Sequence, residues 1–395
     1  MTAFHNAQVD AQPCRPESPL STPTWRWRIR RVIRIGVIIV LASSLSLTGL
    51  LLWWSPGTTE PFLDAEGHPL PGSIWQKLVR PINGVHQGMV IRGQDASNPV
   101  LLWVHGGPGM PDYPLTQQYP TDLEDLFTIV WWDQRGAALS YDSHIPPDTM
   151  TIEQFIDDTL AVTDYLRERF DQDQIYVLGH SWGSFIALQA AARSPERYKA
   201  YLGMGQMVHQ LESEKIAYDY MLAAYKELGD TDMVRKLEQA PVTITGGTPN
   251  AYLKVRDTAM HTLGIGTTHD MTSVITGIFL ASWRFRGYTV QEKVNLWRGR
   301  TFSRSFGLWD QFLRIDLRET VPALQIPVYF LEGKYDYTTV TSLARDYFEQ
   351  LQAPMKGFYV FDNSAHSPLL EEPQEAHRIL EHDTLAGTTT LADLR

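Results

Sequence analysis

Two hydrophobic rhythms alternate along most of this chain. Short, unbroken apolar runs bounded by glycine or proline predict buried strands. They are "GMVIRG", "NPVLLWVHGG" from Asn98, the second half of "TDLEDLFTIVWWDQRG" after a short helix, "QIYVLGH", "YKAYLGMG", "IPVYFLEG" and "GFYVFD". Between them lie segments with a helical period. From Thr151 to Phe170 the positions Ile152, Phe155, Ile156, Thr159, Leu160, Thr163 and Leu166 share one side. "SWGSFIALQAAARSP" predicts a helix that stops before Pro195, and further helices are predicted near Ser342–Leu351 and from about Pro373. This alternation predicts an α/β fold, a mostly parallel sheet with helices on both faces. It breaks once. Residues 206–317 read as helical and aromatic-rich, with Trp283, Trp297 and Trp309, and are expected to form a helical cap inserted over the sheet. The core is then 75–205 plus 318–385, with 55–74 a linker and 386–395 a weakly structured tail. No internal repeats are visible.

The N-terminus follows another pattern. Residues 1–34 read as a disordered basic tail, ending in "TWRWRIRRVIR" with Arg26, Arg28, Arg30, Arg31 and Arg34. Ile35 to Trp54, "IGVIIVLASSLSLTGLLLWW", carries no charge and matches the roughly 20 residues that cross a bilayer as a helix. Trp53 and Trp54 stand where interfacial aromatics sit, and the arginines should stay cytoplasmic, leaving the rest extracytoplasmic. A cleaved signal peptide is the competing reading. Its apolar core would be shorter, about 7–15 residues, and followed by small residues, so an uncleaved single anchor is expected.

Composition narrows the remainder. A net charge of -11 argues against nucleic acid as the main partner. The single cysteine, Cys14, leaves no intrachain disulfide and no cysteine-rich metal site. It falls on the reducing side of the expected anchor.

The candidate chemistry begins at "GHSWG", Gly179 to Gly183, placed between a predicted strand and a predicted helix. That placement suits a nucleophile elbow. A Ser there is held on a strained turn, and glycines are needed because side chains would clash. Ser181 is therefore the candidate nucleophile. The backbone N–H of Trp182, at the helix start, is positioned for an oxyanion hole. Upstream, "WVHGGPG" ends a strand in a glycine-rich turn that can supply a second oxyanion N–H, from Gly107 or, as the next choice, Gly106. A phosphate loop is excluded, because no Lys-Ser/Thr follows.

A serine hydroxyl needs a base, and around such an elbow the chain order is Ser, acid, His. Among His209, His261, His269, His366, His377 and His382, only His366 in "FDNSAHSPLL" follows a late strand and precedes the last helix. The acid is sought in "IPVYFLEGKYDYTT". Asp336 in its turn is favoured over Glu332, and Asp362 is too near the His in sequence.

Together "HGGPG", "WWDQRG", "GHSWGS", "GKYDYTT" and "NSAHSP" resemble the proline iminopeptidase branch of the alpha/beta-hydrolase superfamily, over about residues 75–385. The resemblance implies a serine hydrolase with a helical cap, acting on short peptides with a free N-terminus. Ser181, Asp336 and His366 would be its triad, and Gly107 and Trp182 its oxyanion hole. No cofactor or metal is implied. Asp133 and Arg135 of "DQRG" would be structural, as an ion pair under the active-site loop. Amine recognition would rest on cap carboxylates, here Glu212 and Glu214 of "GQMVHQLESEK". Two departures touch proline specificity. Typical members read "DQRGCGRS" and "GGSWGS"; this chain has "DQRGAALSYD" and "GHSWGS". A mostly apolar pocket over the triad, formed by the Trp-rich cap, is expected. The competing functions are a carboxylesterase or small-amide hydrolase and, from another class, a non-catalytic binding protein on the same scaffold. Dehalogenase or epoxide-hydrolase chemistry is disfavoured, because the elbow carries Ser rather than Asp.

Overall fold

The computed structural model describes Thr2 and residues 24–394. Cys14 and most of the basic tail lie outside the described residues. The expected tail is corrected from Thr24 onward, because helix α1 (Thr24–Trp53) already includes 24–34. Within its stretch Trp27–Trp53, an 18-residue window has a mean hydropathy of 2.4 and is not buried, which fits a membrane anchor or a signal sequence. Met1–Leu50 forms one unit and Leu51 onward another.

The second unit is built on an eight-stranded sheet in the order β1-β2-β4-β3-β5-β6-β7-β8. β1 (Ile74–Ile82) and β2 (Val85–Gly93) pair antiparallel around Asn83-Gly84, both with positive φ, as a two-residue hairpin turn of matching twist requires. β2 also runs antiparallel to β4 (Thr128–Asp133). All other neighbours are parallel: β3 (Val100–Val104), β5 (Ile175–His180), β6 (Tyr198–Met204), β7 (Val328–Gly333) and β8 (Lys356–Phe361). Every residue of β3, β4, β5 and β7 is buried, which is why these strands read as unbroken apolar runs.

α2 (Ile152–Phe170) starts where the Thr151 side chain accepts from Gln154 N, satisfying one of the free donors at a helix start. Its buried residues include Phe155, Ile156, Leu160 and Leu166, the periodic positions of the sequence. α3 (Trp182–Arg193) follows β5 directly. Between β6 and β7 come α4 (Gln210–Leu228), α5 (Thr231–Glu238), α6 (Asn250–Thr262), α7 (Leu280–Arg284), α8 (Val290–Arg304), α9 (Leu308–Phe312) and α10 (Leu317–Thr320), with a π-helical turn at Ile275–Phe279. α11 (Thr341–Gln350) joins β7 to β8, and α12 (Pro368–Glu371) and α13 (Pro373–Ile379) follow it.

Two expectations fail at the edges. β1 is absent from the predicted strands. The tail is not loose: Phe358 N donates to Leu394 O, Asp393 N donates to Phe358 O, and the buried Asp383 gathers Thr390 N and Leu391 N. Backbone hydrogen bonds along β8 hold this segment, and they leave no apolar period in the sequence.

Candidate active site

Loops at the carboxyl ends of the parallel strands converge, as open α/β sheets arrange their sites. Ser181 stands between β5 and α3 with φ 56° and ψ -123°, a costly conformation for a residue with a Cβ. The flanking glycines are forced. A Cβ on Gly183 would lie 1.9 Å from the Val104 carbonyl oxygen, and one on Gly179 would lie 2.5 Å from the Gly183 carbonyl oxygen. Only glycine lets this turn pack against β3.

The imidazole Nδ1 of His366 lies 2.7 Å from Asp336 Oδ2. Asp336 is itself held by Thr339 Oγ1 at 2.8 Å, Thr338 N at 2.7 Å and Thr339 N at 3.1 Å. Burial works against charge on this carboxyl, but His366 and the Thr339 bonds outweigh it and hold it below the usual carboxylate range. Glu332, the other acid considered, bonds Gln206 N instead and does not reach His366. Burial pushes it well above the ordinary range, and Asp336 adds to the shift.

Ser181, His366, Gly106 and Gly107 line one cavity of about 370 Å³, a size suited to a small ligand. Gly106 sits tight against Ser181, since a Cβ there would come 3.2 Å from Ser181 Cβ. Among the described residues the backbone N–H groups of Gly107 and Trp182 donate to no protein acceptor. The "DQRG" turn fastens this loop to the elbow. Gln134 Nε2 donates to His105 O at 2.6 Å, and Trp182 Nε1 donates to Gln134 Oε1 at 2.9 Å.

Two sequence expectations need correction. First, Asp133 and Arg135 do not pair. Arg135 is taken by Asp158 at 2.8 Å, while Asp133 accepts from Tyr288 Oη and Leu139 N, and burial raises it to about 7. Second, neither Glu212 nor Glu214 lines the cavity. Glu214 is fully buried against Arg256 at 2.7 Å and Tyr252 Oη at 2.8 Å, and Glu212 is bound by Arg318 at 2.6 Å. Their charges are already answered inside the protein, so they are not free to bind a substrate amine. The cavity is mostly apolar, as expected, but one wall is charged. Of the three tryptophans only Trp297 lines it, together with Arg256, Asp257, Arg300 and Arg304.

His180 bridges two parts of the site. Its Nε2 lies 2.9 Å from the carbonyl oxygen of His366 and its Nδ1 lies 2.9 Å from Asp112 Oδ2, which also accepts from Trp103 Nε1. A carbonyl and an ionised carboxylate can only accept, so with Asp112 ionised both ring nitrogens of His180 donate. Burial opposes charge on each partner. Their mutual attraction outweighs it, raising His180 and lowering Asp112. A second buried His–Asp pair therefore grips the backbone of His366. Asp112 was missed in the sequence; the only signal was the departure of "GHSWGS" from "GGSWGS", which asks what the extra histidine binds.

A family model described as the alpha/beta hydrolase fold matches residues 99–373. The probable aminopeptidase YbaC of Bacillus subtilis is 33% identical over 294 residues, 74% of this chain and 91% of that protein. A proline iminopeptidase of Flavobacterium johnsoniae is 27% identical over 286 residues, 69% of this chain and 84% of the relative. Among solved structures, the proline iminopeptidase of Mycobacterium smegmatis superposes with a TM-score of 0.51 at 17% identity, covering 79% of this chain and all of that one. At that identity the superposition speaks for the fold alone.

Proposed function

The chain belongs to the alpha/beta hydrolase fold family, and from that premise we propose that it is a serine hydrolase cleaving short peptides or aminoacyl amides. One observation carries the reading. Ser181, strained at φ 56°, and His366, paired with Asp336 at 2.7 Å, line the same cavity. In the proposed reaction His366 Nε2 takes the Ser181 proton as Oγ attacks the scissile carbonyl. Asp336 fixes the Nδ1–H tautomer and supports the imidazolium. The free N–H groups of Gly107 and Trp182, with Gly106 as the neighbouring alternative, receive the developing oxyanion. His366 then protonates the leaving amine, and water attacks the acyl-enzyme by the same route. The aminopeptidase preference is supported by the similarity to YbaC and the proline iminopeptidases.

An apolar wall of Val274, Ile275, Ile278 and Phe279 in the same cavity supports a second reading, a carboxylesterase. The deciding experiment profiles the full-length detergent-solubilised protein on alanine and proline para-nitroanilides, their N-acetylated forms and short-chain esters. Faster turnover of free-amine anilides is the expected result. Preference for esters over every anilide would replace the peptidase reading, and turnover of nothing would favour a binding protein.

We also propose that α1 anchors the protein, with the hydrolase outside. Its uncharged span and the one-sided arginines support this. A reporter fused after Arg395 should behave as extracytoplasmic and fractionate with membranes. A cytoplasmic signal, or a soluble product lacking the helix, would refute it.

A further inference from the structure

The cavity beside Ser181 has a cationic wall. Arg256, Arg300 and Arg304, from α6 and α8, all line it. Two carboxylates answer them. Glu214 takes Arg256 at 2.7 Å, and Asp257 lies 3.3 Å from Arg256 and 3.6 Å from Arg300. Three guanidiniums against two carboxylates leave one cation over. That cation is Arg304, which has no ion pair or hydrogen bond among the described residues.

Its position adds a second, independent observation. A further cavity of about 280 Å³ adjoins the first, and Gly107, Pro108, Arg256, Asp257 and Arg304 line both. Arg304 thus sits on the seam between them, on the same rim as the glycine loop beside the nucleophile. The local field has the same sign. Arg304 is exposed at the seam, where partial desolvation and repulsion from Arg300 and Arg256 lower it from its ordinary value and Asp257 offsets this. A guanidinium keeps its charge there, so Arg304 offers an unpaired, accessible cation at the cavity seam.

We propose that Arg304 is a specificity residue that binds a carboxylate of the substrate, so that the enzyme prefers short substrates carrying a free carboxylate near the scissile carbonyl. This rests on the hydrolase reading above for the position of the reacting carbonyl. Guanidinium suits the task because its planar fork matches a carboxylate with two parallel hydrogen bonds. It also inverts the sequence expectation, in which the recognition groups of the cap were acidic.

The carboxylate can sit on the leaving side, as in a dipeptide, or on the acyl side, as in a dicarboxylic monoester. Two substrate pairs separate these. One is Ala-Ala against Ala-Ala amide, the other para-nitrophenyl hydrogen adipate against para-nitrophenyl hexanoate. In the full-length protein, kcat/KM should favour the acid by about 10- to 100-fold in one of the pairs, the range expected for a charged hydrogen bond. Arg304→Gln should collapse that ratio to about one, and Arg304→Lys should keep part of it, because it retains the charge without the fork. A melting curve checks that each variant is folded. Calorimetry on Ser181→Ala with Ala-Ala and with its amide reads binding without turnover. Tighter binding of the acid, lost on adding Arg304→Gln, supports the inference even where no substrate is turned over. No preference for the acid in either pair or in calorimetry, or a preference that survives Arg304→Gln, overturns it. Absence of all hydrolysis counts against the hydrolase reading and leaves the calorimetry to decide this one.

Discussion

Ser181→Ala should abolish labelling by a fluorophosphonate probe and lower kcat by about 10⁴- to 10⁶-fold, with the melting temperature unchanged or raised. The rate follows from chemistry. No other hydroxyl in the cavity combines a positive-φ elbow with a neighbouring histidine that is itself paired to a buried carboxylate. The stability follows from the backbone. Ser181 pays a conformational cost at φ 56°, and alanine at the same position pays no more. His366→Ala should cost a similar factor, and the double variant should be scarcely slower than either single one, because the groups act as a unit. Labelling that survives in Ser181→Ala would remove Ser181 as the nucleophile. Losses that multiply in the double variant would mean that His366 acts elsewhere.

How much of this was legible beforehand differs between kinds of feature. The central strands were plain, because parallel strands covered on both faces must be apolar at every position. The elbow was plain too, since Gly183 can be nothing else where β3 passes within contact, and Gly179 nothing else where the turn folds back on Gly183 and Ser184. β1 was not recognised. "IWQKLVRPI" lies at the sheet edge with one buried position, so its apolar signal is weak. The Asn-Gly pair that turns it into β2 was the cue available.

The site's chemistry was less legible than its backbone, and for one reason. Motifs mark which residues carry function but do not reveal how charges are shared out among distant ones. Glu212 and Glu214 stand at the start of the cap, where an amine-binding carboxylate was expected. Whether either is free depends on Arg256 and Arg318, forty and more residues later, and both arginines have claimed them. Asp112 and His180 are 68 residues apart and meet beside the His366 backbone. Neither pairing has a periodic trace in the sequence.

The same sharing of charge governs the largest stability effect expected. Asp158→Ala should destabilise the hydrolase domain by about 3–5 kcal/mol. Asp158, on α2, is fully buried and accepts from five donors: Arg135 Nε and Nη2, Asn83 Nδ2, Gln87 Nε2 and Gln154 Nε2, at 2.8 to 2.9 Å. It thereby ties the β1–β2 turn, β2 and the "DQRG" loop to one helix. Removing the carboxylate strands the Arg135 guanidinium, whose side chain is wholly buried, without a counter-charge. That stranded charge, more than the lost attraction, sets the magnitude, so removing both partners should be milder than removing one. Arg135→Met with Asp158→Leu should recover much of the loss, because a well-packed apolar pair avoids the desolvation that the ion pair must overcome. Chemical denaturation of the two variants measures both claims. Asp158→Ala within about 1 kcal/mol of the parent would mean that water reaches Arg135, and a double variant worse than the single would mean that the network's hydrogen bonds, not its charge balance, hold α2 to the sheet.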